Sequence, residues 1–191
     1  MALLALLTLS IPLAAQVPPA PTAPVRVTIT TSAGPITVAL DAAHAPVTTA
    51  NFLRYIDAKR FDGITFYRAM TVAPGIGLIQ GGQRDPRKLY PPIAHEPTSA
   101  TGLSHGDGTI SMARVAPGTA TADFFITLGA MSGLDATASD PGFAAFGTVT
   151  EGLDVVRAIM ASPTSPTAGE GAMKGQMLVP TVRIVSVRRG P

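Results

Sequence analysis

Arg68 stands in the run Phe66-Tyr67-Arg68, and Leu78-Ile79-Gln80-Gly81-Gly82 follows it after a loop. Further along come Gly108-Thr109-Ile110-Ser111-Met112-Ala113-Arg114 and Asp123-Phe124-Phe125-Ile126. A lone arginine therefore lies among aromatic and aliphatic residues, with a glutamine and two glycines close behind. No Ser/His/Asp or Cys/His set accompanies it. These residue types suit chemistry that breaks no covalent bond. Such chemistry needs one fixed, permanently charged donor beside an apolar slot.

Other chemistries find little support. His95-Glu96 and His105-Gly106-Asp107 have the spacing of no metal motif and read as polar loop residues, so no metal or other cofactor is expected. Gly75-Ile76-Gly77 and Gly81-Gly82 lack the Lys-Ser/Thr that a phosphate loop requires. The chain has no cysteine, which excludes disulfides, thiol catalysis and thiolate metal sites.

The elements that must hold these residues are short. Val25, Val27 and Ile29 alternate with polar residues, as do Ile36, Val38 and Leu40, and Ser32-Ala33-Gly34-Pro35 separates the two runs. That pattern predicts a hairpin with one buried face. Pro46 opens a helical stretch with Phe52 and Ile56 on one face, and Gly63 is the expected stop. Short strands broken by Gly/Pro loops are expected from Ile64 to Ile126, with residues 74–77 and 85–108 irregular. Another strand is expected over 143–149, a second helix over 153–160, a long loop over 162–180 and a closing strand over 181–187. Asp107-Gly108, Gly133-Leu134-Asp135 and Asp140-Pro141-Gly142 read as turns. Many short strands with two helices suggest a mainly β chain closed into an antiparallel barrel, which leaves no free edge.

The order of these blocks resembles the cyclophilins, the peptidyl-prolyl cis/trans isomerases. The resemblance covers about 25–187. It implies a closed eight-stranded antiparallel barrel capped by two α-helices, and an enzyme that accelerates rotation of X-Pro bonds in client proteins without a cofactor. By the family pattern Arg68 is the catalytic arginine. Leu78, Met112, Phe125 and Leu134 line the proline slot, Gln80 grips the substrate, and Ala113-Arg114 pairs with its backbone. Four departures accompany the match. The loop over 69–77 is longer than usual, leaving Ile76 as the nearest counterpart of the family's aromatic there. Asp123 replaces a glutamine close to the arginine, where a carboxylate can orient Arg68 through a bidentate pair or hold it away from the proline nitrogen, and the second effect is expected to win modestly. Gly133 replaces a common tryptophan, and Phe143 a common histidine. These changes point to a modified rate and weaker cyclosporin binding.

Hydrophobic residues make up 46% of the 191-residue chain and charged residues 14%, which fits one folded domain rather than a disordered chain. The net charge of +2 is small, and the basic residues Arg84, Arg87, Lys88, Arg188 and Arg189 form no broad face with aromatic platforms, so nucleic acid is not an expected partner. Met1 to Ala15 is uncharged and mostly Leu and Ala, too short to span a bilayer as a helix. It reads as a signal peptide over 1–15, followed by a Pro-rich linker over 16–24 and the isomerase domain over 25–191. The expectation is a periplasmic or secreted monomer without stable membrane insertion, acting on proline-containing polypeptides. The rival reading is a module of the same fold that holds proline peptides but scarcely turns them over. An unrelated structural β-barrel is the third.

Overall fold

The computed structural model describes residues 23–190. The signal peptide expected over 1–15 and most of the linker lie outside the described residues. The chain opens as the expected hairpin, β1 (Val25–Thr31) and β2 (Gly34–Leu40), paired from Val25↔Leu40 to Thr31↔Gly34. Val27, Ile29, Ile36, Val38 and Leu40 are fully buried, as period-two alternation requires.

Helix α1 (Pro46–Asp57) begins at its proline but ends before Gly63, which belongs instead to the following turn. Lys59 makes the left-handed step after the helix, at φ 53°. Strands β3 (Thr65–Ala73) and β4 (Ile76–Gly82) form a second hairpin. Residues 69–77, expected as a loop, are mostly strand joined by the two-residue turn Pro74-Gly75. The extra length is accommodated by extending the ladder, where each added residue gains backbone hydrogen bonds.

The one-turn helix α2 (Thr98–Thr101), which the sequence did not reveal, interrupts the irregular stretch before β5 (Thr109–Met112) and β6 (Phe124–Leu128). Strand β7 (Ala144–Glu151) and helix α3 (Leu153–Met160) follow. The last long segment contains the two-residue β8 (Thr164–Ser165) and closes with β9 (Met177–Arg189).

All pairings are antiparallel. Eight strands run in the order β1-β2-β7-β5-β6-β4-β3-β9, and β9 pairs back onto β1 to close the barrel. β8 adds to β9 outside that ring. The interior is packed with Phe66, Ile79, Ile110, Met112, Phe124, Ile126 and Phe146, each at most 1% exposed. Phe52 of α1 meets Phe124 edge-on at 5.2 Å and Phe146 at 5.2 Å. α3 buries Val156 and Ile159 at the other end of the strands, where Gly77 pairs with Leu128 and lies against Met160. The two main helices thus plug opposite openings of the barrel. Among the described residues no helix is long and apolar enough to cross a membrane.

Candidate active site

The side chains singled out by sequence gather on the outside of the barrel wall, and strand register explains why. Arg68 on β3 pairs with Gln80 on β4, Gln80 with Phe125 on β6, and Phe125 with Ser111 on β5. Neighbouring strands lie roughly 4.7–4.9 Å apart, so these four residues form one row across four strands. Their chain neighbours Ile79, Phe124, Ile126, Ile110 and Met112 point the other way, into the core.

A β-bulge lies at the head of this row. Phe66 faces Gly81 and Arg68 faces Gln80, so two residues of β3 oppose one step of β4. The extra residue is Tyr67. Both Tyr67 and Arg68 consequently line the same groove, whereas strict alternation would have separated them.

Arg68 is half-buried and held on three sides. Its Nε donates to Gln176 Oε1 at 2.8 Å, one terminal nitrogen donates to Gln80 Oε1 at 2.7 Å, and the other lies 3.4 Å from Met70 Sδ. A guanidinium has five N–H groups, so two remain for a ligand. Burial pulls Arg68 below its ordinary value, but an arginine so placed stays charged. Gln80 in turn donates to Tyr67 Oη at 2.7 Å, which fixes which way its amide faces.

Tyr67 donates to Asp123 Oδ2 at 2.7 Å, and Arg84 reaches the same oxygen at 3.3 Å while lying over the Tyr67 ring. Burial raises Tyr67 above the ordinary phenol value, and the Asp123 charge adds to this, so Tyr67 remains a donor at neutral pH. Burial also raises Asp123, against the opposing pull of Tyr67 and Arg84. Asp123 therefore does not pair with Arg68, as its place beside the arginine had suggested. Two intermediates, Tyr67 and Gln80, stand between them.

Beyond Gln80 the groove becomes apolar. Leu78, Phe125 and Met131 are buried together, and Met70, Ile76, Ala113, Leu134 and Phe143 pack against them. Phe143 meets Phe125 edge-on at 5.5 Å. Arg114 Nε donates to Gly142 O at 2.9 Å, and its guanidinium covers the Phe143 ring at 4.9 Å. The whole groove has a volume of about 490 Å³ and is lined by Arg68, Leu78, Gln80, Ala113, Arg114, Asp123, Phe125, Leu134 and Phe143, among others. Met112 is the exception. It is 1% exposed inside the barrel, paired with Phe124 and Ala144, so it cannot touch a ligand in the groove. The alternation Ile110-Ser111-Met112 carried that information, because Met112 shares its face with core Ile110. Ala113 N–H is taken by Asp123 O at 2.9 Å. Among the described residues, Ala113 C=O and Arg114 N–H have no partner, leaving them for an extended chain. Gly133 is exposed in a single 3-10 turn, and a side chain there would meet open space.

The structure also assembles a Ser/His/Asp set that the sequence spacing did not reveal. His105 Nδ1 lies 2.6 Å from Asp135 Oδ1, and Nε2 lies 2.9 Å from Ser111 Oγ. Ser111 is fully buried behind Phe125, so its hydroxyl is closed to any substrate and the set is no hydrolytic triad. Gln176 was missed as well. It was expected in a long loop without periodicity, and the antiparallel pairing of β3 with β9, Arg68 opposite Met177 with Ala69 N–H donating to Gln176 O at 2.9 Å, brings it to Arg68. Among the described residues no group of three or more His, Cys, Asp or Glu could hold a metal ion.

Comparison with known proteins agrees with this arrangement. Residues 26–189 match the family model for the cyclophilin type peptidyl-prolyl cis-trans isomerase/CLD. The chain is 37% identical over 167 residues to peptidyl-prolyl cis-trans isomerase cyp18 of Streptomyces antibioticus, covering 83% of this chain and 93% of that relative. It is 38% identical over 141 residues to peptidyl-prolyl cis-trans isomerase A of Dickeya dadantii, covering 71% of each. Among solved structures, a Cryptosporidium parvum cyclophilin type isomerase, determined in the presence of the dipeptide Ala-Pro, superposes with a TM-score of 0.70 at 20% identity, covering 87% of this chain and 99% of that one. The barrel, the row of side chains across its wall and a match spanning nearly all the described residues lead to one conclusion: the chain belongs to the cyclophilin-type peptidyl-prolyl cis-trans isomerase family.

Proposed function

We propose that the groove binds proline-containing polypeptides and that Arg68 is the donor that lowers the barrier to X-Pro rotation. The observation that carries this is the clamped guanidinium, with two N–H groups to spare, at the edge of an apolar pocket. The uncatalysed barrier is roughly 18–20 kcal/mol and arises from amide resonance. A 10⁵-fold acceleration asks for about 7 kcal/mol of that. At the twisted transition state the proline nitrogen regains its lone pair. A charged donor aimed at that nitrogen stabilises the twisted form more than either planar state, which is what differential binding requires. Leu78, Phe125, Leu134 and Phe143 hold the ring, while Gln80 and the free Ala113 and Arg114 backbone groups hold the chain. The Cryptosporidium parvum relative solved in the presence of Ala-Pro supports a ligand of this kind.

A protease-coupled proline-peptide assay tests this reading. Arg68→Ala is expected to lose about hundredfold or more in kcat/KM while circular dichroism stays unchanged. Arg68→Lys should also be poor, since an ammonium lacks the planar fork that Gln80 and Gln176 grip together. A folded alanine variant with near wild-type turnover would remove Arg68 from the role. Wild-type protein that binds the peptide without turnover would establish the client-holding module instead.

We further propose that the chain acts outside the cytoplasm, with residues 1–15 removed. The uncharged Leu/Ala run and the Pro-rich segment after it support this. N-terminal sequencing of protein from cell fractions is expected to begin near Gln16. Intact Met1 in the cytosol would end the export reading.

A further inference from the structure

We propose that His105 is a positioning residue for the proline slot, fixing its Phe125 floor relative to its Met131–Leu134 wall through Asp135 and Ser111. This rests on the assignment of that pocket to the proline ring.

His105 joins three parts of the pocket that are far apart in sequence. Its ring lies against the Phe125 ring, centroids 5.8 Å apart and nearly parallel at 18°. Its C=O accepts from Met131 N–H at 2.8 Å. Its own N–H donates to Asp135 Oδ1 at 2.9 Å, and Nδ1 lies 2.6 Å from the same oxygen. Asp135 immediately follows Leu134, whose C=O accepts from Phe143 N–H at 2.9 Å. The strand that continues into Ala113 is reached through Ser111 Oγ. The side chain of His105 is fully buried, and the Asp135 carboxylate that meets it is only partly open to solvent.

The hydrogen-bond pattern fixes the ring. The carboxylate only accepts, so Nδ1 carries the hydrogen, and Nε2 accepts from the Ser111 hydroxyl. Held at both nitrogens, the ring can neither flip nor slide along Phe125. An apolar trio would fill this space without the cost of burying polar groups. What it could not do is set directions. A fully satisfied buried network allows only the geometry in which every donor meets its acceptor. With the pocket so assigned, the proline ring would lie on the groove side of Phe125, away from the face that His105 covers. The floor therefore stays flat and the Met131–Leu134 wall stays at one distance from it.

Among the described residues the side chains of Arg68 and Gln80 share no hydrogen bond with His105, Asp135 or Ser111, and Phe125 stands between the two groups, so the slot and the donor can be separated experimentally. Proline is held by the floor and wall in the planar and the twisted states alike. Loosening them should weaken binding without removing transition-state stabilisation.

The test uses the full chain in the peptide assay, with wild type, Asp135→Ala and Asp135→Asn side by side. Asp135→Ala is expected to raise KM about tenfold and to leave kcat within about threefold. Its discrimination between Pro and the larger six-membered ring of pipecolate should narrow. Asp135→Asn keeps an oxygen acceptor in the same place and should restore KM to within about threefold of wild type. An unchanged KM in folded Asp135→Ala, or a fall in kcat alone, would overturn the proposal. Should Asp135→Ala fail to fold, the ring ¹H–¹⁵N signals of His105 in wild-type protein decide during titration with an Ala-Pro peptide. They are expected to show Nδ1 protonated and to shift on binding, and signals that do not move would refute the role. Wild-type protein without isomerase activity would instead count against the assignment of the pocket itself.

Discussion

Asp123 reaches Arg68 only through Tyr67 and Gln80. That makes its influence on the arginine indirect and its own burial the larger effect. Its folded pKa is raised above the unfolded value of about 3.9 by burial. For a carboxyl shifted in this direction, the stability it contributes is fully present below the unfolded value and is lost as pH rises through the folded value. Asp123→Asn keeps an oxygen to accept from Tyr67 and removes the buried charge. The variant is expected to gain on the order of 1 kcal/mol at pH 7, or roughly 2–4 °C in Tm for a chain of this size. The gain should vanish near pH 3, where wild type is also neutral. Thermal melts of both proteins across that range check it. A gain that persists at low pH would mean that packing, not charge, is responsible.

At the scale of elements, two features explain how short strands make a precise site. The bulge at Tyr67 turns two consecutive side chains to one face and puts the Tyr67 hydroxyl within reach of Gln80. Helix α1 shows the same dependence on distant chain. Its N-cap position is Ala45, which offers no side-chain acceptor. Glu96, distant in the chain, takes that place, accepting from Val47 N at 3.0 Å, Thr48 N at 2.8 Å and Thr48 Oγ1 at 2.6 Å. A carboxylate there satisfies helix N–H groups that are otherwise unpaired and faces the positive end of the helix dipole. Glu96→Ala is expected to cost about 1–2 kcal/mol, read as a lower urea midpoint with unchanged slope. A change below about 0.3 kcal/mol would mean that water replaces the carboxylate without penalty.

For the whole molecule, closure of the barrel depends on β9 meeting β1. Two ion pairs fasten the end of β9, Arg188 to Asp62 at 2.7 Å and Arg189 to Asp57 at 2.6 Å. The arginine hydrogen bonds hold both carboxyls below their ordinary value. Stability from a carboxyl shifted downward is present above the unfolded value and is lost as pH falls through the folded one. Both pairs are partly open to water, so screening limits them to about 1 kcal/mol together. Arg188→Ala combined with Arg189→Ala should lower stability by roughly that amount at pH 7 and leave it unchanged near pH 2. Urea denaturation at the two pH values is the measurement. An equal loss at both would assign the effect to the arginine stems packing on the strand rather than to charge.

What could be read from the chain alone was local. Alternation marked β1, β2 and the two faces of Phe124-Phe125, and Pro46 and the apolar spacing marked α1. The span of α3 was legible because its apolar residues repeat over a clear two turns. The block order around Arg68 was enough to name the family. Tertiary structure decided everything that depended on register or on distant chain. Met112 went inside because a strand has two faces and Ile110 had already taken the inner one. Residues 69–77 became a hairpin because a ladder satisfies backbone groups that a loop would leave to water. Gln176, Glu96 and the His105–Asp135–Ser111 set come together only when the barrel closes. No local pattern records a hydrogen bond between residues that are dozens of positions apart, since sequence periodicity reports which face is buried and not which partner lies across from it.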